Sequence, residues 1–580
     1  MNSAVLILIA AVIYVFFYMT YGKALQNKVV RADPNRPTPA HRLYDGVDYV
    51  PAHPLVLYGH HFASIAGAGP IVGPALAIAW GWLPAILWIW FGNVFIGAVH
   101  DYLALMASVR YDGKSIQWIA GKIMSKRTGV AFEIYIWFTL LLVVAAFVAV
   151  TAKLLTTTPQ AATATILFLL IALLLGWLLY RVKINFYLGT AIGLILLALA
   201  VWIGLKHPLI FVSGQTDVTN VAAYTTAYHY WNIILMIYII VASSLPVWML
   251  LQPRDYLNAY ILWFGLLIGG IAFIGIAKTF EAPAYTGFVA NVVAKQPSPF
   301  WPTIPLVIAC GALSGFHSLV GSGTSSKQLD NELHGLLVGY GGMFTEGFLS
   351  TIVITAIGVY GVKLTGVSVA EWGSQYIFKG GLGTFIGGYA NGLHDFYGLD
   401  MDLGKTFATL WISAFTLTSL DTATRLGRFA WQELFGMIAD TGKGIMRVIT
   451  NKWVASAIIA LLGTALAWNS GYKVLWPAFA AMNQLLASIA LMTSALWVAK
   501  VQKAGKWSYA VLIPALFLWV TVTAAIIWYI FEVPLPNLLT TIGTKGALLV
   551  GLVLNVLLAY DFYLAWKRPA EEYVKEATPA

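Results

Sequence analysis

Charged residues are scarce in this sequence of 580 residues: Asp, Glu, Lys and Arg make up 10% of it, and hydrophobic residues make up 59%. Because soluble globular domains carry about a quarter charged residues, this composition excludes a soluble protein. The single cysteine, Cys310, excludes an intrachain disulfide. No Walker A motif occurs, which argues against ATP-driven transport by this chain alone. We find no nucleophile-and-base or metal-ligand pattern, so we expect no enzyme activity, no metal and no cofactor.

Long apolar runs recur along the whole chain, and they predict an all-α polytopic membrane protein. We expect about fifteen spanning helices, with a range of about fourteen to eighteen. Their predicted cores are 3–21, 57–79, 82–108, 131–154, 162–181, 185–205, 230–251, 257–279, 302–320, 336–361, 403–421, 453–468, 472–498, 508–531 and 545–566. We expect one membrane-embedded domain over 1–580, because the longest polar loop is too short to have its own core.

The net charge of +10 comes largely from short loops between apolar runs, which indicates contact with a lipid bilayer rather than with nucleic acid. Basic residues concentrate in segments 22–56, 109–130 and 422–452. Alternation through the predicted spans places all three segments on one side, which the positive-inside rule identifies as the cytoplasm. We therefore expect an N-terminus outside and a C-terminus inside. The same alternation predicts an outer re-entrant or interfacial segment of irregular backbone over 380–398.

Two predicted spans are interrupted by glycine and proline. The first, over 59–74, reads G-H-H-F-A-S-I-A-G-A-G-P-I-V-G-P, and the second, over 309–328, reads A-C-G-A-L-S-G-F-H-S-L-V-G-S-G-T-S-S-K-Q. Proline removes a helical hydrogen bond and glycine weakens a helix by about 1 kcal/mol, so both spans should unwind locally. Glycines that only permit close helix packing are the alternative.

Paired interrupted spans indicate a transporter binding site. Seven predicted helices separate the two, so they run in opposite directions, as an inverted repeat requires. We expect LeuT-like five-helix repeats over 57–205 and 302–498, followed by C-terminal helices over 508–566. The predicted substrate-binding residues are Gly67, Ala68, Gly69, Pro70, Gly315, Phe316, His317 and Ser318.

Ionisable residues inside spans are costly, so they are candidates for function. The candidates for proton coupling are His60, His61, Asp101, His317 and Glu346. Histidine titrates near neutral pH without any shift, and a desolvated carboxylate can be brought into the same range. A satisfied buried carboxyl is the alternative interpretation of Asp101 and Glu346.

Two charged pairs have a gating or structural interpretation. Asp421 and Arg425 are four residues apart, so a helix would place them on one face as an ion pair. Arg254 and Asp255 are expected to anchor a cytoplasmic helix end.

Six longer blocks are distinctive. They read D-G-V-D-Y-V-P-A at 45–52, G-H-H-F-A-S-I-A-G-A-G-P-I-V-G-P at 59–74, G-A-V-H-D-Y at 97–102, Q-P-R-D-Y-L-N at 252–258, S-G-F-H-S-L-V-G-S-G-T-S-S-K-Q at 314–328 and W-P-A-F-A-A-M-N-Q-L-L-A-S-I-A-L at 476–491. In these blocks the chain resembles the carbon starvation protein A family. The resemblance implies a plasma-membrane transporter of the amino acid–polyamine–organocation group, in a family linked to peptide uptake during starvation and to pyruvate uptake by proton symport.

The leading hypothesis is a proton-coupled symporter that imports a small carboxylate-bearing nutrient, either pyruvate or a short peptide. Sodium coupling remains an alternative, because Ser, Thr and backbone carbonyls at the breaks could also hold an ion. A nutrient-sensing membrane receptor would need an output domain, for which only segment 422–452 is available. A channel is disfavoured because the sequence has two broken helices and no repeated filter motif.

Overall fold

The computed structural model describes residues 1–46, 48–246, 249–438, 444–570 and 573. Residues 247–248 of the predicted span 230–251, and residues 439–443 of the basic segment 422–452, lie outside the described residues.

The described chain is mostly helical, as its apolar runs predict. The helices of the first half are α1 (Ser3–Phe17), α2 (Pro39–Arg42), α3 (Pro54–Ala66), α4 (Gly69–Ala77), α5 (Trp82–Gly92), α6 (Ala98–Arg110), α7 (Ile116–Ile123), α8 (Lys126–Thr157), α9 (Pro159–Trp177), α10 (Phe186–Lys206), α11 (Val221–Ser244) and α12 (Leu251–Ile276). A small antiparallel hairpin of β1 (Val289–Asn291) and β2 (Pro297–Pro299) follows them.

The second half continues in the same way. Its helices are α13 (Phe300–Thr303), α14 (Phe316–Gly323), α15 (Gly342–Thr365), α16 (Trp372–Lys379), α17 (Leu382–Tyr397), α18 (Met401–Ile438), α19 (Gly444–Ile449), α20 (Lys452–Ala467), α21 (Tyr472–Leu496), α22 (Tyr509–Glu532) and α23 (Leu538–Lys567). Short π-helical turns extend several of them, so that α5 and α6 form one span over Trp82–Arg110.

Within the described residues, eleven helices are long and apolar enough to cross a membrane, and the bent pair of α3 and α4 raises the number to twelve. This supports a multi-pass membrane protein, but the expected number of about fifteen spans is not confirmed. Three predicted spans account for the difference between twelve and fifteen. Helix α20 has only 16 residues, the segment 302–320 is partly irregular, and α18 is not among the helices that are apolar enough.

Burial separates an inner group of helices from an outer one. The most apolar windows of α8 and of Tyr472–Val501 are 83% and 94% buried, whereas the window in Tyr187–Lys206 is only 22% buried. Helix α8 packs along α18, α20 and α21. Helix α10 leaves Leu and Ile side chains exposed on its outer face, as a lipid-facing helix does.

The first predicted break is confirmed. Helix α3 ends at Ala66 and α4 begins at Gly69, with a bend of 45° between the two parts. Gly67 has φ +45° and ψ −151°, a backbone conformation that residues with a Cβ atom rarely adopt. Pro70 follows at the start of α4, where its missing N–H is tolerated.

The second predicted break is confirmed as well. A 3-10 turn over Ile304–Leu306 is followed by non-helical backbone over 307–315, and α14 then begins at Phe316. The span predicted at 302–320 is therefore half irregular.

The expectation of irregular backbone over 380–398 is wrong, because most of this segment forms the 16-residue helix α17. Its glycines permit close packing rather than unwinding. A Cβ atom on Gly388 would lie 2.6 Å from the carbonyl oxygen of Ala356, and one on Gly392 would lie 2.7 Å from the ring of Phe273.

Candidate functional site

The two breaks lie directly against each other inside the helix bundle. The hydroxyl of Ser350 on α15 donates a hydrogen bond of 2.8 Å to the carbonyl oxygen of Pro70 in the first break. Gly69 lies so close to the second break that a Cβ atom on it would be 2.3 Å from Cys310 Sγ. The backbones of the two interrupted spans therefore meet at a buried point.

Helix α21 satisfies much of the unwound backbone over 307–315. Gln484 Nε2 donates to two consecutive carbonyl oxygens beginning at Ile308, at 2.9 and 3.0 Å. Asn483 Oδ1 accepts a hydrogen bond of 2.8 Å from the backbone N–H of Phe316. Non-helical backbone is tolerated at membrane depth only with such partners, so these two amides allow the break to exist.

A row of buried ionisable side chains crosses this point. His317 on α14 lies between two carboxylates: its Nδ1 is 2.9 Å from Asp101 Oδ2 on α6, and its Nε2 is 3.6 Å from Glu346 Oε2 on α15. His100 Nδ1 is 3.0 Å from the other oxygen of Asp101. All four side chains are fully buried. Three different helices thus bring together residues that are widely separated in sequence.

The Glu346 end of this row contains polar atoms without hydrogen-bond partners. Both oxygens of Glu346 and the Nε2 atom of His317 have no hydrogen-bond partner among the described residues. Cys310 Sγ lies with a His317 nitrogen and a Glu346 oxygen in a group whose members are within 4.8 Å of one another. These groups can exchange a proton, and a thiol, an imidazole and a carboxylate also form a donor set for a transition-metal ion.

The two histidines of the first broken span, His60 and His61, contact different parts of the protein. His61 Nδ1 is 2.7 Å from Ser325 Oγ, and its ring packs against Gly342 at the start of α15. His60 instead lines a separate cavity of about 400 Å³ between α3 and α12, together with Trp263. Adjacent helical positions face different directions, so only His61 points toward the row of ionisable residues.

All eight predicted substrate-binding residues are buried, so the breaks are closed to solvent in this conformation. Gly67 faces Ser419 on α18 and Phe147 on α8. Gly315 faces α21, because a Cβ atom on it would lie 2.3 Å from the carbonyl oxygen of Asn483.

The predicted pair of Asp421 and Arg425 is wrong. Arg254 binds Asp421 through both of its terminal nitrogens and also binds Asp255 at 2.7 Å. Arg425 donates instead to the backbone carbonyl oxygens of residues 242 and 245. Tyr238 completes the network, since its hydroxyl donates to Asp421 at 3.0 Å and accepts from Arg254 at 2.9 Å.

Arg254 and Asp255 lie near the start of α12, at a helix end as predicted, but they face the protein interior, because Arg254 is 0% exposed and Asp255 is 4% exposed. A buried guanidinium needs carboxylate partners, and α12 and α18 supply one each.

Comparison with known proteins places these features in a family. The family described as "Carbon starvation protein CstA" matches residues 2–525. The chain belongs to the CstA family. A relative named peptide transporter CstA, from Bacillus subtilis, is 31% identical, and the match covers 98% of both chains. The peptide transporter CstA of Campylobacter jejuni is 33% identical, over 89% of this chain and 78% of that protein.

A differently named protein also matches. The pyruvate/proton symporter BtsT of Escherichia coli is 29% identical over 90% of this chain and 81% of its own length. Among solved structures, a manganese transporter from Eremococcus coleocola covers 90% of this chain at 10% identity, with a TM-score of 0.44, which is too low to support a conclusion.

In this member of the CstA family, sequence reasoning identified Asp101, His317 and Glu346 separately, and the structure brings them together. It missed Cys310 as part of the same group, because a lone cysteine in an apolar run has the pattern of a packing residue. It also missed Ser350, whose contact with Pro70 has no signal in the sequence.

Proposed function

We propose that this protein is a secondary active transporter that imports a small carboxylate-bearing nutrient, a short peptide or pyruvate, by proton symport. The names of its relatives support both substrates. The family name supports a role in carbon starvation. The observation that carries the proton coupling is the position of His317 between two buried carboxylates, beside both breaks.

The charges of this group favour uptake of one proton. With Asp101 and Glu346 ionised, His317 protonated and His100 neutral, the group carries one net negative charge in a fully buried position. An uncompensated buried charge costs several kcal/mol. One further proton, on Glu346, would make the group neutral in the closed conformation. Opening to water would remove the cost of the charge and release the proton.

A proton fits this position better than sodium does. Sodium prefers a shell of oxygen ligands, whereas Glu346 has the sulfur of Cys310 and a nitrogen of His317 as its ionisable neighbours. The N-terminal ends of α4 and α14 lie at the breaks, and the positive ends of their helix dipoles favour the carboxylate of the substrate.

For the architecture we propose inverted five-helix repeats over 57–205 and 302–498, with about fifteen spans in total. Helices α8 and α18, the third spans of the two proposed repeats, pack along each other. Helices α5 and α15, which belong to the second spans, are also in contact. A two-fold axis in the membrane plane would place equivalent helices side by side in this way. We also propose that the protein lies in the plasma membrane with its N-terminus outside and its C-terminus in the cytoplasm.

The variant Glu346→Gln tests the coupling. In proteoliposomes, the wild type should accumulate labelled pyruvate or dipeptide when a pH gradient is imposed, and not when a sodium gradient replaces it. E346Q should accumulate no more substrate with an imposed pH gradient than the wild type does without one. It should still exchange internal for external substrate, because the amide keeps the shape of the site and removes only the titratable group.

Glu133→Gln is the matched control, because Glu133 is also a buried glutamate in a span, only 2% exposed, but lies on α8 near Glu433 and away from the breaks. E133Q should retain gradient-driven accumulation. Retained proton-driven accumulation in E346Q would contradict the proposed role, and accumulation by the wild type only under a sodium gradient would overturn proton symport.

A further inference from the structure

Three lysines lie together at the end of the bundle opposite the basic segment 109–130, which includes the start of α8. Lys153 lies near the C-terminal end of α8, and its Nζ atom is 4.9 Å from the ring centroid of Tyr472. Lys473 donates to the carbonyl oxygens of residues 377 and 380. Lys295 lies 6.0 Å from the ring centroid of Phe378, next to the same segment.

Within the described residues, none of these three ammonium groups has a carboxylate partner within 4 Å. Lys278, which also lies beyond the C-terminal end of a predicted outward-running helix, does have one, since it pairs with Asp395. Lys473 is only 9% exposed, and Lys153 is partly buried. A buried cation without a counter-ion is costly, so this position favours the binding of an anion.

Lys153 is close to the first break along α8. Phe147 precedes Lys153 by six residues on α8, which corresponds to about 9 Å along a helix. The ring of Phe147 packs against the position of Gly67 and forms an aromatic layer with Trp476 and Phe479, with ring centroids 5.0 to 6.1 Å apart. This layer separates the lysines from the first break.

We infer that Lys153, Lys295 and Lys473 form an anion-binding vestibule that receives the carboxylate group of the substrate before it passes the aromatic layer. The inference rests on the proposed function and adds to it a site for the negatively charged end of the substrate. The carboxylate can come from pyruvate or from the C-terminus of a peptide, and both have the same chemistry toward an ammonium group. The N-terminal end of a peptide would remain free to enter the breaks.

Lys153→Gln tests the vestibule, with Lys153→Arg as the charge-preserving variant. In proteoliposome uptake at increasing substrate concentration, K153Q should raise the half-saturating concentration of pyruvate or dipeptide by about tenfold or more, as expected for a lost charge-assisted contact. K153R should stay near the wild type. A dipeptide with an amidated C-terminus should be handled equally by the wild type and K153Q.

Lys278→Gln is the matched control, because it removes a lysine charge that already has a carboxylate partner. Lys295→Gln covers the case in which K153Q does not fold, since Lys295 is exposed, and it should raise the half-saturating concentration by about two- to threefold. An unchanged half-saturating concentration in K153Q, or an equal shift in K278Q or for the amidated dipeptide, would overturn the inference.

Calorimetric titration of the full-length protein in detergent separates this inference from the transport proposal. If wild type binds pyruvate or dipeptide and K153Q binds it about tenfold more weakly, the vestibule is supported even if no gradient-driven uptake occurs. If the wild type binds neither carboxylate, the vestibule is excluded.

Discussion

Arg254 is a fully buried cation whose main partner, Asp421, lies 167 residues away in the sequence. The rule that pairs charges four apart on a helix suggested Arg425 for Asp421, but it considers one helix only. Helix α12 brings Arg254 alongside α18, and Tyr238 on α11 joins both side chains. The network therefore ties three helices together, which favours a structural role.

Asp421→Asn should destabilise the protein strongly. It would leave the guanidinium of Arg254 buried with only Asp255 as a charged partner, and breaking a buried ion pair costs about 3–5 kcal/mol. Thermal unfolding in detergent, followed by tryptophan fluorescence, would measure the loss. Asp395→Asn is the comparison, because its pair with Lys278 is partly exposed and should contribute at most about 1 kcal/mol. Equal melting temperatures for the two variants would argue against a stabilising role for the network.

Residue types alone identified the ionisable side chains of the site but not their arrangement. Asp101, His317 and Glu346 each stand out because charge is rare inside spans. Their common contact depends on how α6, α14 and α15 pack, and a single sequence contains no signal for that packing. The separation of His60 from His61 follows from helix geometry once α3 is known to be helical at both positions.

The interrupted spans are the elements that sequence reasoning predicted best. Glycine and proline act locally, so their effect on backbone can be deduced without tertiary information. The glycines of α17 mark the limit of this reasoning. They resemble a break in the sequence, but their neighbours α12 and α15 use the small residues for close contact.

Gly67→Ala should impair transport and lower stability. The change places a Cβ atom 2.6 Å from Ser419 Oγ and forces alanine into a conformation with φ +45°. Such backbone strain costs about 1–3 kcal/mol. Substrate exchange in proteoliposomes and the melting temperature in detergent should both fall.

Gly59→Ala on α3, the helix that Gly67 terminates, provides the control, because the nearest atom to its new Cβ would be Ala259 Cβ at 3.7 Å. G59A should keep both exchange and melting temperature. If G67A behaves like G59A, the strained geometry of the first break is not required for function.

At the scale of the whole molecule, the apolar composition predicted a multi-pass membrane protein, and the structure supports it. The number of spans was less predictable from the sequence. Hydropathy alone does not distinguish a short or partly unwound segment that crosses the membrane from an apolar segment that is buried in the protein without crossing. α20 and the 302–320 segment are the examples. The buried inner group around α8 and α21 surrounds the breaks, so most of the apolar chain holds a small polar site in place.

The most direct test of proton symport uses a substrate gradient alone, with no imposed pH or sodium gradient. Proteoliposomes that contain the protein and an internal pH-sensitive dye are supplied with external pyruvate or dipeptide, under conditions in which potassium and valinomycin prevent a membrane potential. We predict that the interior acidifies as the substrate enters, that protein-free liposomes acidify less, and that E346Q takes up substrate without the additional acidification. Substrate entry through the wild type with no more acidification than in E346Q would contradict proton coupling at Glu346.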